Sequence, residues 1–465
     1  MKNIIRILEL SVKNIKNLKM GKITFDSYNQ VINGDFDFTT SDIIGIYGQN
    51  GSSKSALINS LGILKSIISY NSLQNNIFNL ISHEEMISTL SMKIYFNNNE
   101  EHYIFDYTVD IKKDTKDTKE NSVFIDSETL TYRKYENDVF TKKKTIFKVE
   151  RNPLDLMKFI TPLNNLKLLT NNSNNIFPML LMLKGKKEEG NCSFIFSEEF
   201  IDILKLNNEF SFVIDFINMI NSYALHNLHL FDNRDITKMM ALDKSPIFLE
   251  DNNSANYLSL FNEGILNNEF EEKLDIYTKE INTVLSKLIP GIVIGYVNLG
   301  STLDEMGKNS FKYQFVSKKN NQNIPLYMES DGIKKIIAIT SSLIDAFNNP
   351  SSILVIDEFD SGIFEYLLGI ILDVFKNKGV GQLLFTSHNL RALEVIKDDI
   401  VFTTNDDNNR FIRLPYIQNT NNLRKKYLRD LYLGSDYNLS NQTDEYEIYR
   451  ALKEAGELYL YEKEK

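Results

Sequence analysis

The run Ile43-Ile44-Gly45-Ile46, followed by Gly48-Gln49-Asn50-Gly51-Ser52-Ser53-Lys54-Ser55, decides how this chain folds. A short apolar run ending in a Gly-rich turn reads as a buried strand. Beyond the turn, Ala56, Leu57, Leu61, Leu64, Ile67 and Ile68 recur at helical spacing, so a helix follows directly. A strand, a turn of small residues and a helix, in that order, are what a phosphate-binding loop needs. Backbone N–H groups at the helix start point at phosphate oxygens, and the helix dipole favours negative charge there. Gly48, Asn50, Gly51, Ser52 and Ser53 supply the wrapping backbone, Lys54 supplies a point charge, and the Ser55 hydroxyl is suited to Mg²⁺. The implied ligand is ATP with Mg²⁺. Ser53 stands where the usual pattern has its second glycine. It adds a Cβ to a tight loop, which is expected to weaken nucleotide affinity without abolishing the site. A polar turn that merely caps a helix has a similar composition, but here the strand, loop, Lys-Ser pair and amphipathic helix are all in register.

Two later segments have the chemistry such a loop requires. Ile353-Leu354-Val355-Ile356 is a β-branched run ending in Asp357-Glu358. Buried parallel strands look like this, with acids emerging at the carboxyl end where such sheets bind ligands. Asp357 is the candidate Mg²⁺ ligand, acting through water. Glu358, expected on the opposite side, is the candidate to polarise the water attacking the γ-phosphate. Gln382-Leu383-Leu384-Phe385-Thr386 is a second buried-type strand and leads into His388, a candidate donor to the γ-phosphate. Ser330 and Gly332, in Glu329-Ser330-Asp331-Gly332-Ile333-Lys334-Lys335, open a helix whose hydroxyl and bare N–H groups suit a phosphate. An ordinary helix cap would read the same. His83, His102, His226 and His229 receive no role.

The rest of the 465 residues frames these motifs. IRILELSV and MGKITF near the amino terminus read as strands. MKIYF, YIFDYTVDI and TIFKVE, between 90 and 150, read as antiparallel strands, and the charged run at 112–122 reads as an exposed hairpin loop. From 152 to 290 the pattern is mostly helical. Its clearest helix carries Leu274, Tyr277, Ile281, Leu285 and Leu288 along one side and is stopped by Pro290 and Gly291. IVIGYV and FKYQFV are strands. Helices at about 332–347 and 363–377 then alternate with strands at 353–356 and 382–386, as in parallel α/β folds. The division expected is 1–150, 151–290 as a helical insertion, 291–415, and a helical tail at 416–465.

A net charge of −10 argues against binding nucleic acid through bulk charge, and a local basic stripe stays open. One cysteine, Cys192, excludes an internal disulfide and any multi-cysteine zinc site. No apolar run reaches the roughly 18 residues that span a membrane, and Arg6 and Glu9 interrupt the first apolar stretch, so a cytoplasmic protein is expected.

As a set, GxNGxxKS, a long insert, SDGxKK, ILVIDEFDSG and LLFTSHN resemble the ABC-type AAA ATPases related to SMC and OLD proteins. Many of these belong to prokaryotic anti-phage (abortive infection) systems such as PARIS, Septu and OLD-type retrons. The likeness covers about 4–70 and 275–400. It implies a split ABC-ATPase head, a mixed sheet plus an antiparallel β lobe with a large helical insertion, that hydrolyses ATP. It also implies that heads pair as a dimer or larger oligomer. Ser330 and Gly332 would then act in trans, and Asp360-Ser361 would be the subunit-crossing loop. Three positions depart from the pattern: Ser53 for glycine, SDG for SGG, and Phe364 where relatives often have histidine. No effector is legible within the chain, so a separate partner, such as a nuclease, is expected. The alternative is a DNA-repair ATPase of the SMC or RecF type, against which the missing coiled-coil arm and Cys-x-x-Cys hook count.

Overall fold

The computed structural model describes residues 3–49, 51–114, 122–151, 159–170, 180, 191–232, 248–251, 254–304, 307–319, 322–404, 406–408, 410–413 and 448–454. β1 (Ile5–Ile15) and β2 (Leu18–Thr24) form a hairpin, and α1 (Ser27–Ile32) leads to β3 (Asp42–Tyr47), the glycine-rich turn and α2 (Lys54–Ile68). β4 (Ile87–Asn98), β5 (Glu101–Asp114), β6 (Ser122–Glu136), β7 (Val139–Phe140), β8 (Lys144–Glu150) and β9 (Ile160–Thr161) follow. Then come α3 (Leu163–Thr170), α4 (Glu198–Leu204), α5 (Ser211–His226), β10 (Leu228–Phe231) and the β11–β12 pair (Phe248–Asp251, Ser254–Tyr257). β13 (Gly264–Asn267), α6 (Glu271–Leu288), β14 (Val293–Leu303), β15 (Asn309–Lys319) and β16 (Gln322–Pro325) precede α7 (Asp331–Asn348). β17 (Ile353–Ile356), α8 (Glu365–Lys378), β18 (Gln382–Thr386), α9 (Leu390–Ile396), β19 (Ile400–Thr403) and β20 (Phe411–Arg413) close the described series.

The central sheet has the order β10-β17-β18-β3-β19-β20, parallel except for β20. It draws one strand from the first fifty residues and the others from beyond residue 227, so the expected split α/β architecture is what the structure has. The four inner strands, β17, β18, β3 and β19, are buried on both faces, as apolar parallel strands must be. Their period-2 alternation separates two cores. Ile44, Ile46, Ile353, Val355, Leu384 and Val401 pack with α2, α5 and the antiparallel lobe. Ile43, Tyr47, Leu354, Ile356, Leu383, Phe385, Ile400 and Phe402 pack with α6, α7, α8 and α9. Since β3, β10, β17, β18 and β19 run the same way, their carboxyl ends share one edge, and the chemically interesting residues lie there.

The antiparallel lobe is one sheet in the order β2-β1-β4-β5-β6-β8-β9, with β7 on β6. The three strands expected between 90 and 150 are present as β4, β5 and β8. β6 joins them, pairing with β5 from Asp114↔Ser122 onward. Its mixed sequence, SVFIDSETLTYRKYE, buries few apolar side chains, so periodicity alone gives it a weak signal. Of the charged hairpin loop, residues 115–121 lie outside the described residues, while Lys113 belongs to β5 and is buried.

Between 152 and 290 the structure has α3, α4, α5 and α6. α6 buries Leu274, Tyr277, Ile281 and Leu285 as its spacing predicts. The same stretch adds β10 to the central sheet and β9 to the antiparallel lobe. Leu228 and Phe231 on β10 are buried on opposite faces of the sheet, one in each core. LHLF is too short for its period to be told from helix. Within the tail, 448–454 is helical, and the remainder of 416–465 lies outside the described residues.

Candidate nucleotide site

The loop after β3 is shaped by backbone that ordinary side chains resist. Gly51 has φ +78°, and Ser53, which caps α2, has φ +75°. A Cβ on Gly48 would lie 1.7 Å from Thr403 Oγ1 and 2.7 Å from Ser52 Oγ, so only glycine fits there. The Ser52 hydroxyl is enclosed and lacks a hydrogen-bond partner among the described residues. Asn50 lies outside the described residues. Lys54 is 7% exposed, and its ammonium donates to the carbonyls of Gly48 (2.7 Å) and Gln49 (2.8 Å). Burial pushes it down to about 8, against the opposing pull of Asp357, Glu358 and Asp360. Ser55 is half-buried in the first turn of α2.

β18 alone separates β3 from β17, which puts the axes of those two strands about 10 Å apart. Asp357 is buried at the end of β17, and its Oδ1 accepts from Thr386 Oγ1 at 2.5 Å. The same Thr386 oxygen accepts the Glu358 N–H at 2.7 Å. Glu358 does not continue the alternation of the strand: β17 stops at Ile356, and Glu358 has φ +48°. Its direction is therefore set by a left-handed turn rather than by strand geometry. Lys335, 3% exposed, reaches into this turn from α7. It donates to the Glu358 carbonyl (2.5 Å) and the Ser361 carbonyl (3.3 Å), and burial pushes it, like Lys54, down to about 8. Asp360 Oδ2 accepts the His388 N–H at 3.1 Å, while its Oδ1 is enclosed and lacks a partner among the described residues. The His388 ring is exposed; partial burial and then the Lys54 charge hold it below the ordinary histidine value.

Of the residues singled out from the sequence, Lys54, Asp357, Glu358 and His388 therefore converge on one sheet edge, with Asp360 among them. Ser330 and Gly332 lie at the start of α7, beside the turn that carries Asp360 and Ser361. Ser330 caps α7 without a side-chain cap bond and is exposed. A Cβ on Gly332 would meet the Gly362 carbonyl oxygen at 1.9 Å, so within one chain the bare glycine lets two backbones touch. The Asp331 side chain is 85% exposed and pairs with Lys334 at 2.9 Å. Phe364 is 73% exposed. The tasks of Thr386 and Lys335, which stand in the quoted motifs without a role, and of Asn17 escape a sequence reading: each acts through hydrogen bonds to another segment's turn, and spacing along the chain does not encode such contacts.

Residues 43–394 match the family model described as "AAA domain, putative AbiEii toxin, Type IV TA system". The chain belongs to this AAA-domain family. No curated protein matches the sequence. Among solved structures, the AAA-domain chain is similar to an Smc head bound to the C-winged helix domain of ScpA. That match has 14% identity, covers 88% of this chain and 98% of the other, and has a TM-score of 0.41. It is also similar to the SMC head domain from Thermotoga maritima (13%, covering 88% and 100%, TM-score 0.35). A third match is the recombination mediator RecF–ATP of the RecFOR pathway (12%, covering 89% and 100%, TM-score 0.36). In the AAA-domain chain no helix among the described residues is long and apolar enough to cross a membrane.

Proposed function

We propose that the chain binds ATP with Mg²⁺ on the 48–55 loop and hydrolyses it to ADP and phosphate. The observation that carries this reading is the opposition of one buried cation, Lys54, to the acids at 357, 358 and 360, all at the carboxyl edge of one parallel sheet. Lys54 would exchange its two loop carbonyls for phosphate oxygens, and the backbone of Gly48, Asn50, Gly51, Ser52 and Ser53 would wrap the phosphates. Two enclosed oxygens without a partner among the described residues suit a site that fills: the Ser52 hydroxyl can donate to a phosphate oxygen, and Asp360 Oδ1 can accept from water. For Mg²⁺ the donor set is right in kind: hydroxyl and carboxylate oxygens, few in number, leaving room for phosphates and water. Among the described residues no trio of His, Cys, Asp or Glu forms a dedicated metal cage. Ser55 would hold the ion directly and Asp357 through water, and the ion would neutralise phosphate charge. Glu358 acts as the base that orients and deprotonates the attacking water, and His388 donates to the γ-phosphate.

Ser330 and Gly332 act on the ATP of a second copy, in a head-to-head dimer or larger oligomer, beside Asp360-Ser361. The exposed, uncapped Ser330 hydroxyl supports this. The setting is bacterial anti-phage defence, with the ATPase as sensor of a separate effector such as a nuclease. The words "toxin" and "TA system" in the family's description support that setting. The site is tested with two variants. Lys54→Ala loses ATP binding, and Glu358→Gln binds ATP but turns it over about 10²-fold more slowly. Unaltered affinity in the first, or unaltered turnover in the second, removes the role assigned.

A further inference from the structure

We propose that Asn17, in the turn between β1 and β2, is a positioning residue for the phosphate loop, holding its two left-handed residues in place. This rests on the reading of 48–55 as a triphosphate loop and explains how that loop works with serine at a glycine position.

A Cβ makes the left-handed region unfavourable, and glycine enters it freely. Ser53 is buried at φ +75° and ψ 10°, so its backbone needs holding. A serine at a helix start normally turns its hydroxyl onto its own first-turn N–H groups. Ser53 makes no such cap bond. Its hydroxyl instead donates to Asn17 Oδ1 at 2.9 Å. The other end of the same carboxamide, Asn17 Nδ2, donates to the carbonyl of Gly51, the second left-handed residue. One side chain from the antiparallel lobe thus braces both left-handed positions. With the serine hydroxyl drawn outward and the Ala56 N–H bonded to the Ser53 carbonyl at 3.1 Å, the N–H groups of Lys54 and Ser55 are left to an anion.

Asn17 is anchored in its turn. Arg410 donates to the Asn17 carbonyl (3.2 Å) and to the Thr404 carbonyl (2.7 Å), and Lys19 pairs with Asp407 at 2.8 Å. The end of β19, just before the β19–β20 connection, also brings Thr403 against Gly48. The brace therefore ties three remote segments together around the phosphate position.

The test is a double-mutant cycle on the full chain: wild type, Asn17→Ala, Ser53→Gly and the double variant, each titrated with MgATP by calorimetry. Asn17→Ala is expected to weaken binding about three- to tenfold. Ser53→Gly, needing no brace, is expected to bind more tightly than wild type. In the double variant the glycine recovers most of what Asn17→Ala lost, an outcome a general loss of stability does not produce. Wild-type affinity in Asn17→Ala, or a double variant as weak as Asn17→Ala, overturns the proposal. Amide hydrogen exchange over Gly51–Ala56 without nucleotide is read in parallel. It should quicken in Asn17→Ala and slow again in the double variant. If the wild-type chain takes up no MgATP, the functional reading falls and the exchange data alone decide this inference, unchanged exchange in Asn17→Ala refuting it.

Discussion

If Lys54 meets a triphosphate as proposed, raising the pH through 8 should weaken binding by stripping its proton. In the free chain its ammonium is buried against the Gly48 and Gln49 carbonyls, and that burial holds it at about 8. A bound triphosphate adds negative charge within contact distance and restores it to the ordinary lysine range, about 10. The sign follows directly: free Lys54 loses its proton as pH rises, bound Lys54 keeps it, so binding takes protons up. The uptake is about 0.1 proton per ATP at pH 7, about 0.5 at pH 8 and about 0.8 at pH 9. Affinity should then fall as pH rises above 8, by at most about tenfold per pH unit. The assay is isothermal titration calorimetry at those three pH values, in two buffers of different ionisation enthalpy. Lys335 sits at about 8 for the same reason, so the titrations are repeated with Lys335→Met. Uptake that survives this change belongs to Lys54. No uptake at pH 8 and 9, or its complete loss in Lys335→Met, would show that Lys54 does not meet the phosphates.

Two further changes probe the scaffold around the acids. Thr386→Val keeps the shape of a fully buried side chain but removes the oxygen shared by Asp357 and the Glu358 N–H. Stability is expected to fall by about 1–3 kcal/mol and turnover to fall with it, read by denaturant titration and steady-state ATPase assays. Equal values for the variant and wild type would mean that the hydroxyl fixes neither acid. Gly332→Ala drives a Cβ against the Gly362 carbonyl oxygen, backbone against backbone. The nucleotide-free chain at high dilution should melt earlier, by the equivalent of about 1–3 kcal/mol. An unchanged melting temperature under those conditions would leave the glycine without a task inside its own chain.

The parallel sheet was legible because its strands are short, apolar and buried on both faces, and their boundaries are marked by glycine or acids. Ile353–Ile356 and Gln382–Thr386 have the ends the sequence suggests. α6 and α7 declare themselves by apolar spacing, and so does the fact that Lys54 and Asp357 meet at one edge. β6 and β10 were not legible, the first because its faces are mixed, the second because four residues carry no period. Neither was the inward part of Gly332, since a backbone contact across a turn leaves no mark in local sequence. Strand alternation would set Glu358 opposite Asp357, but its φ of +48° takes it out of that alternation. The left-handed turn that redirects it depends on Thr386 and Lys335, which grip its amide and its carbonyl from β18 and α7.

β10 has a mechanical consequence. It is laid down by the stretch between α5 and the β11–β12 pair, yet it hydrogen-bonds along the whole of β17. Its last residue, Phe231, accepts the N–H of Asp357 itself at 2.8 Å. Asp357 is the next rung of the same ladder, so a shift of β10 along its axis would reach the backbone of that acid through a hydrogen bond and not through a loop. The strand that ends the α5 segment and the strand that ends in the acid would therefore move as one.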